Sequence, residues 1–215
     1  MRAYKQEFLD LALELGVLRF GEFTLKSGRA SPYFFNAGLF SSGYAAAKLG
    51  RYYASAIAAS KVEFDMLFGT AYKGIPLAAL AAAALAEHHD IDVPYAYNRK
   101  EAKAHGEGGD IVGAPLAGKV LIVDDVITAG TSAREAHKII AAAGAEVAGL
   151  VISLDREEVG SDSRSAVQNL EQTLGIPVIS IVKLEDLIDM LEDSEEFGDY
   201  LTPVVDYRKK YGVHA

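Results

Sequence analysis

The chain has 215 residues, 50% of them hydrophobic and 24% charged, with a net charge of −9 and no cysteine. That is enough length for one α/β domain with a substantial core. The composition excludes disulfide and thiolate chemistry and disfavours a nucleic-acid surface, so any phosphate site needs a local cluster of cations.

The N-terminus, MRAYKQEFLDLALELG, places Tyr4, Phe8, Leu11, Ala12 and Leu15 at helical spacing and stops at Gly16. Acids interrupt its apolar pattern, so it does not read as a signal peptide. Leu18 to Leu25 and Ser31 to Ala37 read as two strands around a Lys26-Ser27-Gly28-Arg29 turn. This hairpin precedes the βαβ pattern and is expected outside the main sheet. Phe34 and Phe35 are adjacent, so in a strand they face opposite sides. One belongs to the core; the other, or the backbone there, could cover a flat heterocycle. Lys26 by itself reads as surface charge.

Ser42 to Ser60 is an Ala-rich helix, and Asp65 to Gly69 is a short buried strand. The turn Thr70-Ala71-Tyr72-Lys73-Gly74 follows, with Pro76 in the first turn of a helix reaching about His88. The small residues of this turn permit close approach of backbone to an anion, and Lys73 adds charge. Alone it is equally an ordinary connection. Val93 to Asn98 is a further strand. The apolar segment Ala78 to Ala86 falls well short of the ~20 residues that span a bilayer. A soluble, cytoplasmic protein with no membrane or nucleic-acid partner is expected.

From Arg99 to Pro115 the periodicity fails. This polar, glycine-rich stretch carries Arg99, Lys100, Lys103 and His105 close together. It reads either as a solvated loop or as a lid, over about 99–115, whose cations close on a diphosphate around hinges at Gly106, Gly108 and Gly109. His105 could protonate a departing group or merely bind.

Val120 to Val123 is an apolar, mostly β-branched strand that runs straight into Asp124 and Asp125. A small polar turn, Thr128-Ala129-Gly130-Thr131-Ser132, then opens a helix over Ala133 to Ala143, stopped by Gly144. The two carboxylates repel, and burying them without partners is costly. The turn offers amides and hydroxyls at a helix N-terminus. A ligand with ribose hydroxyls and a phosphate would satisfy both halves. Val147 to Leu154 is another strand, ending at Asp155-Arg156. Arg156 could meet a carboxylate bidentately or form a surface salt bridge with Asp155 or Glu157. A helix over Ser163 to Leu174, a strand over Val178 to Val182, a helix over Leu184 to Leu191 and an irregular helical tail complete the chain. Strands alternating with helices predict a mainly parallel sheet covered on both faces, with ligands beyond the C-terminal strand ends.

The run VLIVDDVITAGTS resembles the 5-phosphoribosyl-1-pyrophosphate (PRPP) signature of the type I phosphoribosyltransferases. With FGEFTLKSGRASPYFFNAG, FDMLFGTAYKGIP, YNRKEAKAHGEGG and ISLDR, nearly the whole chain resembles the orotate-specific members of that family. The resemblance implies a single domain over 1–215, with a small hood formed by about 1–40 and part of 155–175. It implies transfer of the phosphoribosyl group of PRPP to orotate, with Mg²⁺ held mainly by PRPP and water rather than by protein ligands alone. Lys26, Tyr72, Lys73, Arg99, Lys100, Lys103 and His105 would bind PRPP. Asp124 and Asp125 would hold the ribose hydroxyls, and Val126, Ile127, Thr128, Ala129, Gly130, Thr131 and Ser132 the 5′-phosphate. Phe34, Phe35, Thr128 and Arg156 would contact orotate. Lys103, His105, Asp124 and Asp125 would carry the catalytic roles. The family also implies a homodimer with Arg99, Lys103 and His105 acting across the interface, and a strained non-proline cis peptide at Ala71–Tyr72.

Overall fold

The computed structural model describes residues 1–25, 27–100, 110–160 and 163–213. Lys26 and the stretch 101–109, with Lys103, His105 and the three candidate hinge glycines, lie outside the described residues.

Helix α1 (Ala3–Glu14) leads into a hairpin, β1 (Leu18–Thr24) and β2 (Ala30–Phe35), which forms its own two-stranded antiparallel sheet. The pairing Phe20↔Tyr33 is followed by a bulge before Phe23↔Ser31. Ser31, Tyr33 and Phe35 therefore share one face of β2, and Phe34 points to the other. Phe35 packs against Phe8 and the core, ring centroids 6.3 Å apart. Phe34 stacks on Phe23 at 5.5 Å, with the Arg19 guanidinium 5.7 Å from its ring.

Then follow α2 (Gly43–Ser60), β3 (Met66–Gly69), α3 (Gly74–His89), β4 (Tyr95–Asn98), β5 (Ile111–Gly113), β6 (Lys119–Val123), α4 (Thr131–Ala142), β7 (Glu146–Asp155), α5 (Ala166–Leu174), β8 (Val178–Lys183), α6 (Leu184–Glu192) and α7 (Leu201–Tyr211). The sheet order is β5-β4-β3-β6-β7-β8. All neighbours are parallel except β5, which runs antiparallel to β4 at the edge. The strands are apolar on both faces because helices cover both. Leu67, Leu121, Val123 and Val151 point toward α1, α2, α3, α6 and α7. Met66, Phe68, Val120, Ile122, Leu150 and Ile152 point toward α4 and α5 through Ala133, Ala136, Ile140, Val167 and Leu170.

Small side chains bring α2 and α3 unusually close. A Cβ on Gly50 would sit 2.7 Å from the carbonyl oxygen of Leu80, so only glycine permits this crossing. No helix among the described residues is long and apolar enough to cross a membrane.

The structure corrects the reading in three places. Ile111–Gly113 is an edge strand, not part of a patternless loop; three residues are too few to show a period, and the signal lies in pairing with Tyr97. The helix expected from Ser163 starts at Ala166, where Ser165 forms a capping box with Gln168. In the tail, a 3₁₀ turn at Gly198–Tyr200 precedes α7. Of the region 155–175, α5 packs on the sheet, while the turn after β7 reaches the hairpin: Arg29 Nη2 donates to the Val159 carbonyl at 3.0 Å.

Candidate active site

Parallel pairing of β3 with β6 puts Gly69 opposite Val123, so the turns that follow these strands emerge side by side. Thr70 N–H donates to the Val123 carbonyl at 3.3 Å. The β3 turn folds back tightly on both strands. A Cβ on Gly74 would lie 2.3 Å from Val123 O and 2.6 Å from Thr70 Oγ1, and one on Gly69 would lie 2.5 Å from Gly74 O. These glycines are needed for contact, not for an unusual φ. The Ala71–Tyr72 peptide is cis. Ala71 N–H donates to Asn98 Oδ1 at 3.0 Å, tying the turn to the end of β4.

The carboxylate pair differs in environment. Asp125 is 7% exposed, and its Oδ2 takes a 2.5 Å contact from Lys73 Nζ. That ion pair joins the two turns. Lys73 itself is largely exposed, so the pair contributes little to stability and leaves the ammonium accessible. The Asp125 carbonyl accepts from Ser153 N–H at 2.8 Å and Ser153 Oγ at 2.6 Å. The Asp124 carbonyl accepts from the buried Tyr53 hydroxyl at 2.8 Å. Both acids are thus fixed through their backbones by β7 and α2.

Burial raises the Asp124 carboxyl from 3.8 to about 6; the Asp125 amide, donating to Oδ1 at 2.9 Å, pulls it back down, and the charge of Asp125 pushes it up. An acid held there in its ionised form costs free energy that a bound cation would recover. Beside it lies the buried Thr70 hydroxyl, whose interaction with the Asp124 carboxyl works against the upward shift. A buried hydroxyl and a destabilised carboxylate at one strand edge fit a polar ligand.

The second turn continues the cradle. Val126 bridges to Leu154, Gly130 adopts φ 68°, and α4 starts at Thr131 with no side chain capping it and no acid in its first turn. The amides of that turn can therefore meet an anion. Gly130 also lies under Leu170, where a Cβ would approach to 3.0 Å. Arg134 donates to the Ala129 carbonyl and adds charge behind the loop.

Lys100 Nζ sits 5.1 Å from the centre of the exposed Tyr72 ring, and Arg99 N–H donates to Asp110 O at 2.7 Å. The basic stretch thus begins beside the β3 turn. Arg156 follows β7 but is not a surface residue paired with Asp155 or Glu157. It is largely buried, lies 4.3 Å from the Tyr33 ring, and its Nε donates to Glu158 Oε1 at 2.7 Å. The alternative of a surface salt bridge with Asp155 or Glu157 is thereby set aside, because the partner is Glu158. Asn98, Ser153, Tyr53 and Glu158 are absent from the sequence reading of the site. Only Asn98, abutting the basic run, and Glu158, two residues from Arg156, left a local trace.

The structure therefore brings Tyr72, Lys73, Asp124, Asp125 and the stretch 126–132 to one edge, with Arg99 and Lys100 flanking it. A sequence model of the phosphoribosyl transferase domain matches residues 42–182. Orotate phosphoribosyltransferase from Pseudomonas fluorescens (strain Pf0-1) is 60% identical over 214 residues, covering 99% of this chain and 100% of that protein. The protein of the same name from Yersinia pestis (strain Pestoides F) is 60% identical over 213 residues, 99% of each chain. A crystal structure of orotate phosphoribosyltransferase from Francisella tularensis superposes with a TM-score of 0.87 at 44% identity, covering 96% of this chain and 99% of that one.

Proposed function

The chain belongs to the orotate phosphoribosyltransferases, and from that premise we propose how its own residues carry the reaction. The activity is transfer of the 5-phosphoribosyl group from PRPP to N1 of orotate, giving orotidine 5′-monophosphate and pyrophosphate in pyrimidine synthesis. The observation that carries the site reading is the abutment of the two turns, joined by Lys73 and Asp125 at 2.5 Å.

Asp124 and Asp125 receive the ribose hydroxyls. As pyrophosphate departs, the anomeric carbon gains positive charge, and two fixed carboxylates near the ring stabilise it without becoming nucleophiles. The uncapped N-terminus of α4, with Val126 to Ser132, receives the 5′-phosphate. The β3 turn receives the diphosphate on its backbone and on Lys73. Lys26, Arg99, Lys100, Lys103 and His105 bind PRPP, and His105 protonates the leaving group. Arg156 and the Phe34–Phe35 segment, with Thr128, contact orotate; the Phe34 ring is engaged with Phe23, so its share falls to the backbone.

The raised carboxyl of Asp124 and its neighbour Asp125 fit a hard cation shared with substrate oxygens. When bound, Mg²⁺ would neutralise charge developing on the diphosphate. With Ile111–Gly113 held in the sheet, closure of the basic stretch that precedes it over the site would exclude water that competes for the sugar. The protein works as a single domain and as a cytoplasmic homodimer, with Arg99, Lys103 and His105 reaching the neighbouring site.

The direct test is loss of orotate absorbance on adding PRPP and Mg²⁺. No loss with orotate, or equal turnover of a purine base, would refute the assignment.

A further inference from the structure

Glu158 lies outside every motif that defined the site, yet the contacts of Arg156 are assembled around it. Its Oε1 accepts from Arg156 through both Nε at 2.7 Å and Nη2 at 2.6 Å. The Tyr33 hydroxyl donates to the same oxygen at 3.4 Å, and Arg29 Nη1 lies 3.7 Å from Oε2. Arg156 Nη2 also reaches Ser31 Oγ at 3.4 Å, while the Tyr33 ring covers one face of the guanidinium. The backbone beneath is fastened on both sides. Val159 N–H donates to Tyr211 O and Val213 N–H to Glu157 O, each at 2.8 Å. The Arg29 guanidinium, 4.9 Å from the Tyr211 ring, closes the ring of contacts between hairpin, turn and C-terminal helix.

We infer that Glu158 is a positioning residue that sets which edge of Arg156 meets the substrate. A guanidinium can grip a carboxylate side-on, through Nε and Nη2, or end-on, through Nη1 and Nη2. Glu158 fills the side-on edge. The aromatic face of Tyr33 removes the remaining freedom of rotation. Glu158 and Ser31 engage Nε and Nη2, so the carboxylate of orotate meets Arg156 through Nη1. The arrangement is made before substrate arrives, so binding does not have to freeze a long side chain. Glu158 carries the same sign as the substrate carboxylate. Its contribution is therefore orientation, and a cation pair left without it would attract orotate more strongly but hold it less well. This inference rests on the reading of Arg156 as the orotate ligand.

Steady-state kinetics in both substrates test it, on Glu158→Ala, Glu158→Gln, Arg156→Ala and the double variant Glu158→Ala/Arg156→Ala. Glu158→Ala is expected to raise the orotate KM about tenfold while the PRPP KM stays within about twofold. Glu158→Gln, whose amide oxygen still accepts from Nε, is expected to raise it only about threefold. In the Arg156→Ala background, Glu158→Ala should add nothing, because its action runs through the missing guanidinium. A Glu158→Ala effect that persists in that background overturns the inference, as does an equal rise in the PRPP KM or a fall in the orotate KM. If Arg156→Ala leaves the orotate KM unchanged, it is the reading of Arg156 that fails. If Arg156→Ala raises it and Glu158→Ala does not, this inference alone fails. Should Glu158→Ala not fold, Glu158→Gln decides: a threefold rise confined to orotate supports the inference, and a wild-type or lower value overturns it.

Discussion

Asp124→Asn separates what the site costs from what it does. In the folded, unliganded chain the Asp124 carboxyl is raised from 3.8 to about 6, chiefly by burial. The sign follows from proton binding. Between these two values the native state holds the proton that the unfolded state has released, so stability falls as pH rises through the window and stays lowered above it. The full displacement corresponds to ~3 kcal/mol; water reaching the half-buried carboxylate reduces the expected share to ~1–2 kcal/mol. Asn keeps an oxygen able to accept from the Asp125 amide at the position where the distance is now 2.9 Å, and it carries no charge to desolvate. The variant should therefore melt roughly 2–6 °C above wild type near pH 8. It should lose that advantage near pH 4, where wild-type Asp124 is itself neutral. Turnover should fall by roughly 100-fold or more, since the ribose loses one of its two carboxylates. Thermal melts across pH and initial rates at saturating PRPP provide the readout. A lower melting temperature at pH 8, or a gain independent of pH, would show that Asp124 is not held against its own ionisation.

Three further substitutions address the scaffold and the lid. Gly74→Ala would drive a Cβ to 2.3 Å from Val123 O, pushing the β3 turn off β6; kcat/KM for PRPP should drop by roughly 100-fold and the melting temperature should fall, and a variant matching wild type in both would show the turn to be plastic. Asn98→Ala removes the acceptor for the Ala71 amide, so stability should fall by ~1 kcal/mol and the PRPP KM should rise with the orotate KM unchanged; a denaturant titration and two-substrate kinetics check this, and no change in PRPP KM refutes the link from β4 to the turn. Lys103→Ala should lower kcat far more than it weakens orotate binding; a near-normal kcat rules out its role at the leaving group.

The sequence exposes features whose signal is local. The βα alternation, the hairpin outside the main sheet and the Val120-to-Ser132 run are all periodic or contiguous, and the structure reproduces them. Element boundaries shift where a cap or pairing decides them, as at Ser165 and at the short strand Ile111–Gly113. Arg156 shows the other limit. Its place after a strand end left open a ligand carboxylate or a surface pair with Asp155 or Glu157; the chain turns after β7 and presents Glu158, a partner that neither alternative named.

By itself, then, the order of residues determined which chemical groups reach the C-terminal edge of the sheet, because strand length and helix period are set by short-range sterics and burial. Only the tertiary structure decided which of them meet. Lys73 and Asp125 lie 52 positions apart, and parallel pairing of β3 with β6 brings them to 2.5 Å. Asn98 reaches Ala71 through the next strand, and Tyr33, Arg29 and Glu158 converge from the hairpin and the turn beyond β7. Such contacts leave no period in the chain, since they depend on strand order, and strand order is chosen by the packing of the whole core.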